Sequence, residues 1–590
     1  MAPPAAVKTG WFAGLLGIAL LVTSAAYFRH LDWGTPSREK HLQMFADDAE
    51  LSRYVPRMLE LRNKYYSGIG DMLNPEKPFK QSFDDLFYSF KKNDALAELT
   101  PDQTLDRMRG YLIGVVNSDE QNTVQAIGRL NPFKLKFNPG LNTFYGGFYY
   151  YVCGGALFAA KALGQVELVP DLQYYFYHPD QTRRMYAIVR MVGVLSVLFS
   201  AGLIVLWMRR LYGLGFALLA ALFFLWIPLL IPYSHMAKAH ALGMFLLFAG
   251  AWFLWRTWDD PSWKNYGAGT VLLGLSAGSI ITNLSVGLVI FVMEWARNHW
   301  RLAPVFKNIR FWICCLLFFA VYAATNFYVI AHYDQFQRNV LSLQEFTKGY
   351  GNTYGELRLS AWPPFLIDMF TNQIHWSVIP LLAAGFWAAV ARRDKLLISI
   401  LLCLAGLTAA NLLSTRHPGV NVRALPFIAL FCASGVLYLW DSFPKLKILT
   451  AGYAAAALFL SGAQTFFFLS MLREPSHLTL AGDWVNANVA RGDSIGAVGG
   501  QFYQAGFPAI RFLEYKLVQF PNADEAGALD LKNLPDYVIW TESKHPVLDA
   551  YYKEAARWDR PSKFLGIPFH NNLVASGSDN LRIFKKTDRR

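Results

Sequence analysis

Apolar stretches near 20 residues long with few or no charges recur along most of this 590-residue chain, separated by short loops that carry Arg and Lys. A helix rises about 1.5 Å per residue, so some 20 residues cross the ~30 Å hydrocarbon core of a bilayer. The runs lie at 11–28, 184–207, 213–232, 235–255, 265–281, 284–296, 309–331, 374–391, 396–413, 422–440 and 448–470. Only 16% of the chain is charged and 54% is hydrophobic, against about 25% and 45–50% in soluble domains. A soluble cytosolic enzyme is all but excluded. The pattern predicts a polytopic α-helical membrane protein of about eleven spans. The run at 11–28, preceded by Lys8, reads as a signal anchor rather than a cleaved leader because it is long enough to span.

The basic residues orient the spans. One set of loops holds thirteen: Arg209 and Arg210; Arg256 and Lys264; Arg297, Arg301, Lys307 and Arg310; Arg392, Arg393 and Lys395; Lys445 and Lys447. The alternate loops hold six: Lys238, Arg338, Lys348, Arg358, Arg416 and Arg423. The richer set belongs in the cytoplasm, which puts the N-terminus inside, in an inner or plasma membrane of bacterial type. The first long loop (29–183), the 332–373 loop and the last 120 residues then lie outside. An extra crossing by the aromatic stretch 140–163 would invert this arrangement, so that stretch is expected to lie in the outer interface, where tyrosines are favoured, the alternative being an ordinary span that departs from the charge rule. The net charge of +13 is thus explained by topology, and no nucleic-acid partner is implied.

Residues 1–470 are accordingly expected to form the transmembrane part and 471–590 a soluble extracytoplasmic α/β domain. In the latter, Ser494–Val498, Tyr537–Trp540 and 581–584 read as strands, with helices at 480–489 and 546–557. The five cysteines (153, 314, 315, 403 and 432) all fall in apolar segments, so neither large polar region has a disulfide framework.

Polar side chains able to do chemistry gather on the outside. Asp47, Asp48 and Glu50 open an amphipathic helix, where two readings stand side by side: a carboxylate base at the membrane surface, or Asp47 as N-cap with Glu50 three residues on. Tyr233-Ser234-His235-Met236-Ala237-Lys238-Ala239-His240 puts three cationic or cationisable groups at a junction of spans, suited to a lipid phosphate or to snorkelling and interfacial packing. Arg416 and His417 precede Arg423, which stands at a helix start and would welcome an anion. His178, Arg183, Asn283 and Glu345 are further substrate-contact candidates. The sequence has no metal-spacing motif, P-loop or dinucleotide fingerprint. No cofactor is certain, and a divalent metal stays open.

In this order the features resemble the GT-C glycosyltransferases, in the branch of protein O-mannosyltransferases and lipid A aminoarabinose transferases. The resemblance spans roughly residues 10–440. It rests on the acidic pair Asp47-Asp48, the segment from Asn138-Pro139-Gly140 to Tyr151, the span ending Met208-Arg209-Arg210, the segment Ser234 to Lys238, and Arg423-Ala424-Leu425-Pro426. Two departures are visible: His240 stands where many relatives have Asp, and the 64–135 region is long. The resemblance implies a polyprenyl-phosphate donor carrying one sugar, entering from the outer leaflet, and an acceptor hydroxyl on a glycan, lipid or protein. It implies Asp47 or Asp48 as base, with Lys238, His235, Arg416 and Arg423 on the donor phosphate, and inversion at the sugar. A lipid or solute transporter is the alternative; such proteins favour mid-membrane charges and internal repeats, whereas the runs here are almost free of mid-depth charge and show no paired half-chain pattern.

Overall fold

The computed structural model describes residues 10–82, 96–140, 143, 145–348, 362–414, 418–498, 507–521, 531–541, 545–569 and 580–587. Most of the chain is helical, and each apolar run contains a helix. Three helices are long and apolar enough to cross a membrane: Pro179–Tyr212, Gly419–Ser442 and Pro444–Ser470. A fourth counts if Trp362–Thr371 and Trp376–Ala391, bent by 90°, form one span. Other apolar helices are shorter, such as His240–Arg256, Ile309–Thr325 and Leu214–Leu225. Leu21, Phe199, Leu206, Leu316, Phe319, Ile448 and Phe459 stay exposed on the apolar helices, as suits contact with lipid. The chain is an integral membrane protein.

The apolar run 213–232 is interrupted. Leu214–Leu225 reaches only about 18 Å, and the chain continues through a non-helical stretch into Leu230–Ser234. The break frees backbone groups that lipid cannot satisfy. They find partners in neighbouring segments: the Trp226 carbonyl accepts from Ser461 Oγ at 2.5 Å and Thr465 Oγ1 at 2.9 Å, and the Leu229 N–H reaches the Gln373 carbonyl at 3.0 Å. Asn421 Nδ2 donates to Gln373 Oε1 at 2.9 Å, so three interrupted segments meet at one glutamine.

Past the last span, a five-stranded sheet runs in the order β2-β1-β3-β7-β4: β1 (Ser494–Val498), β2 (Lys516–Phe520), β3 (Tyr537–Trp540), β4 (Tyr552–Trp558) and β7 (Leu581–Lys586). A two-stranded hairpin joins β5 (Lys563–Phe564) to β6 (Ile567–Pro568). β1 pairs in parallel with β2 and β3, and β7 runs antiparallel to β3 and β4. The helix expected over 546–557 stops at Tyr551, and 552–558 is strand. Glu554, Ala555, Ala556 and Arg557 favour a helix locally, but pairing with β7 overrides that preference.

This C-terminal unit is not packed on its own. The first long loop lays residues 96–99 along the outer edge of β2, with N–H to O distances of 2.8 Å (Leu96 to Gln519), 2.9 Å (Gln519 to Ala97) and 2.8 Å (Leu99 to Leu517). Met44, Phe45, Leu51, Val55, Met58 and Met108 of the loop share one core with Val485, Ile495, Ile510, Phe512 and Leu517. Segments with a common core lie on one side of the membrane, so the chain crosses an even number of times between them.

Around that shared core, Lys40 Nζ meets Glu474 Oε1 at 3.4 Å, and the same oxygen accepts the Gly34 N–H at 2.9 Å. Beside this latch His41 is buried. Burial, with the nearby Arg38 cation, pushes its imidazole down to about 4, against smaller opposing effects of Asp48 and Asp180. An unfolded histidine titrates near 6.5, so the unfolded chain binds the extra proton first as pH falls. Stability from neutral His41 is complete above about pH 6.5 and is lost on going down to about 4, roughly 3 kcal/mol in all. Melting curves of purified protein between pH 4 and 7 should show this decline, and His41→Met should flatten it; an equal slope in both proteins would refute it.

Candidate functional site

The acidic residues after the first span are engaged locally. Asp47 is the N-cap of Asp48–Leu73, its Oδ1 accepting the Glu50 N–H at 2.8 Å, while Glu50 Oε2 reaches back to the Ala46 N–H at 2.7 Å. Asp48 pairs with Arg38 at 2.5 Å. Asp47 and Asp48 are both exposed. Among the described residues, none of these three carboxylates has a recorded hydrogen bond or ion pair with the 233–240 segment.

That segment is built into the first loop by other acids. Helix Ser118–Arg129 starts at the Asn117 cap and carries Asp119 and Glu120 in its first turn, where the helix dipole favours negative charge. Glu120 is fully buried and bidentate with Arg190: Oε2 lies 2.7 Å from Nε and Oε1 lies 2.9 Å from Nη2. Arg190 also donates to the Leu31 and Trp33 carbonyls at 2.8 and 2.7 Å, and Glu120 accepts the Ala237 N–H at 2.8 Å. Thr123 Oγ1 holds the Ala237 carbonyl at 2.8 Å. The turn before His240–Arg256 is thus fixed from two sides.

On that fixed turn Lys238 lies buried, its ammonium 2.7 Å from Asp119 Oδ2, while the Asp119 side chain is 51% exposed. The Lys238 Nζ also stands 5.9 Å from the centre of the Tyr233 ring. His240 opens the next helix with its ring 4.9 Å from Tyr233 and 5.9 Å from Tyr145. His235 turns the other way: its Nδ1 lies 2.9 Å from Ser234 Oγ, its ring 5.8 Å from that of Tyr27, and its carbonyl accepts Trp33 Nε1 at 3.0 Å. It packs toward the first span and not toward Lys238.

Arg423 lies in the 3-10 turn Pro418–Ala424 that leads into Leu425–Ser442. It is buried, and Nη1 donates to the Thr282 carbonyl at 2.8 Å, Ser285 Oγ at 2.9 Å and Asn283 Oδ1 at 3.3 Å. Asn283 in turn donates to Ser276 Oγ at 3.2 Å. Both groups border the His240 helix: a Cβ on Gly243 would meet the Asn283 amide at 2.6 Å, and one on Gly419 would meet His240 Nε2 at 2.4 Å. Glycine at 419 lets the turn bearing Arg423 close against His240. Lys238 and His240, with Asn283 and Arg423 from distant parts of the sequence, therefore surround the start of one helix.

The other candidates stand elsewhere. His178 is exposed and stacks near Tyr174, with ring centres 4.1 Å apart. Arg183 pairs with Asp180 at 3.0 Å. Glu345 lies 3.6 Å from Lys80. Arg416 and His417 lie outside the described residues.

No family model matches the chain, and no curated protein matches it. Among solved structures it is similar to the oligosaccharyltransferase AglB of Archaeoglobus fulgidus in complex with an inhibitory peptide and a dolichol-phosphate, at TM-score 0.39 and 11% identity over 78% of this chain and 73% of that one. It is also similar to ArnT of Cupriavidus metallidurans bound to undecaprenyl phosphate, at TM-score 0.39 and 11% identity over 85% and 96%. The apo Archaeoglobus fulgidus oligosaccharyltransferase gives 0.40 and 11% over 88% and 75%. Likeness this distant leaves activity, donor and acceptor to the site's own chemistry.

Asp119 and Glu120 were absent from the sequence candidates, although Asn117-Ser118-Asp119-Glu120 carries the same signal as Asp47-Asp48: a cap followed by acids in a first turn. Their position in the long 64–135 region concealed them. Among the described residues no three His, Cys, Asp or Glu side chains gather as a metal site would require.

Proposed function

We propose that the chain is a membrane-embedded glycosyltransferase that moves one sugar from a polyprenyl-phosphate donor to an acceptor hydroxyl, on the face that carries the C-terminal unit. The observation that carries this reading is the ion pair of buried Lys238 with half-exposed Asp119 at the membrane boundary. A cation held out of water is worth more to an incoming phosphate than one in solvent, and the carboxylate beside it is reachable. The acceptor oxygen attacks the anomeric carbon, the bond from that carbon to the phosphate oxygen breaks, and its electrons leave with the polyprenyl phosphate. The acceptor proton passes to Asp119. Lys238 and Arg423 take up the charge that develops on the departing phosphate, and attack opposite the phosphate inverts the sugar. Asp47 and Asp48 are second choices for the base, since one caps a helix, the other pairs with an exposed arginine, and among the described residues neither has a buried cation beside it.

A native mass spectrum of gently purified protein with added polyprenyl phosphate tests the donor site. Wild type should hold one polyprenyl phosphate. Lys238→Gln and Arg423→Gln should each weaken it about tenfold or more, since a hydrogen bond to a charged group is worth about 1.5–3 kcal/mol. Bulk phospholipid alone on wild type would refute the site. That result would favour a transporter, the reading suggested by the three interrupted segments that meet at Gln373.

A further inference from the structure

Three of the most exposed large apolar side chains sit on hairpin tips: Phe133 at 89%, Leu135 at 79% and Leu565 at 72%. In the first hairpin Asn131 and Lys136 exchange backbone hydrogen bonds of 2.8 and 2.9 Å, and Asn131 Oδ1 accepts the Lys134 N–H at 3.1 Å. The closure holds Leu135 at φ +52°, a left-handed conformation uncommon outside Gly, Asn and Asp. In the second, β5–β6, Leu565 at φ +51° and Gly566 at φ +79° form the turn. Both hairpins thus hold a leucine in a rarely adopted conformation while leaving its side chain uncovered, which gains nothing in water.

Both stand at the membrane boundary. Behind the second tip, Phe569 belongs to the membrane core and its ring lies 5.6 Å from that of Phe467, in the last turn of Lys447–Ser470. Behind the first, the Phe137 ring is 5.8 Å from Tyr151, and Asn138 donates to Gln335 at 3.2 Å. Gln335 follows the Phe327–Ala331 turn, whose Phe327 and Ile330 continue the outward apolar face of Ile309–Thr325. The core shared by the first loop and the C-terminal unit puts both tips on one side. Exposed Lys134, Lys136 and Lys563 flank them, complementary to lipid phosphates.

We propose that the two hairpins are membrane-seated fingers: Phe133, Leu135 and Leu565 enter the headgroup–acyl boundary of one anionic leaflet, and the three lysines rest on lipid phosphates. Apolar tips with long basic side chains beside them are suited to that boundary. The inference needs the chain to be in a membrane and does not depend on sugar transfer.

The test places single labels on the full-length protein in nanodiscs. Cys315→Ser removes the half-buried native thiol, and Leu135→Cys, Leu565→Cys and, as a water-exposed control on β4, Ala555→Cys carry bimane. In discs of phosphatidylglycerol and phosphatidylethanolamine, nitroxide lipids should quench the labels at 135 and 565 at least threefold more than the label at 555, and iodide should do the reverse. Lys134→Glu with Lys136→Glu should reduce lipid quenching at 135 in these discs and leave it unchanged in phosphatidylcholine discs. Iodide quenching at both tips equal to that at 555 would overturn the proposal and leave the tips for a protein partner. Lipid quenching at one tip alone would overturn the paired arrangement, and charge reversal without effect would overturn the role of the lysines.

Discussion

Exchanging Asp119 for Asn is expected to lower sugar transfer by about 10²–10⁴-fold, the range a positioned general base contributes, while polyprenyl-phosphate binding and melting temperature stay near wild type. The amide keeps an oxygen for Lys238 at the place where the carboxylate stands 2.7 Å away, so binding survives and proton removal does not. Transfer can be followed as free polyprenyl phosphate released from monoglycosyl donor in the lipid extract of the source membrane. Asp47→Ala should behave in the opposite way. It removes the cap hydrogen bond to Glu50 at about 0.5–2 kcal/mol of stability and leaves the rate near wild type. Loss of transfer in Asp47→Ala or Asp48→Asn with an unchanged melting curve, together with an active Asp119→Asn, would move the base to the first helix.

The largest change in stability should come from the pair beneath that site. Glu120 and Arg190 are both fully buried, and removing one partner leaves a charge without compensation, which costs about 3–5 kcal/mol. Glu120→Ala and Arg190→Met should each sharply lower the melting temperature in mild detergent. Replacing both partners of a buried pair by apolar residues is often neutral, but here the outcome should differ. The double variant strands the Ala237 N–H and the Leu31 and Trp33 carbonyls, at about 1–3 kcal/mol for each unsatisfied group. Recovery should therefore be partial. A double variant as stable as wild type would show that these backbone groups find other partners and that the pair does not fix the turn.

That the chain is a membrane protein was legible in the sequence because apolar runs near bilayer length recur, whereas among the described residues three helices, or four with the bent pair, are long and apolar enough to cross. Breaks inside runs were not legible, since the turn at Trp226–Leu229 depends on hydroxyls of Ser461 and Thr465 more than 200 residues away. Three strands of the C-terminal unit could be read from β-branched and aromatic residues, but β4 could not, because its local preference is helical and β7 decides it. Of the proposed site, Lys238 and His240 came from one cluster, Arg423 from another and Asn283 from an outer turn, and the structure gathers them around one helix start. His235 came from the same cluster and points elsewhere, because neighbours in sequence at a tight turn need not share a direction. Asp47 shows the limit of motif reading: an acid in a first turn can be chemistry or a cap, and only the partners of its oxygens separate the two. Asp119 carried the same signal and has the buried cation that Asp47 lacks.

The shared core of the first loop and the C-terminal unit also sets a timetable for synthesis. Gln43 hydrogen-bonds the Thr479 carbonyl across 436 positions of the chain. At about 5–20 residues per second, the loop leaves the ribosome and waits roughly 20–90 s for the strands and helix that will cover Met44, Phe45, Leu51 and Met58. Throughout that interval its greasy side has only residues of the loop itself, such as Leu105, Met108, Leu112 and Phe176, against it. Chains that stop before the sheet is made would keep it bare, and they should be the ones that quality-control proteases remove first.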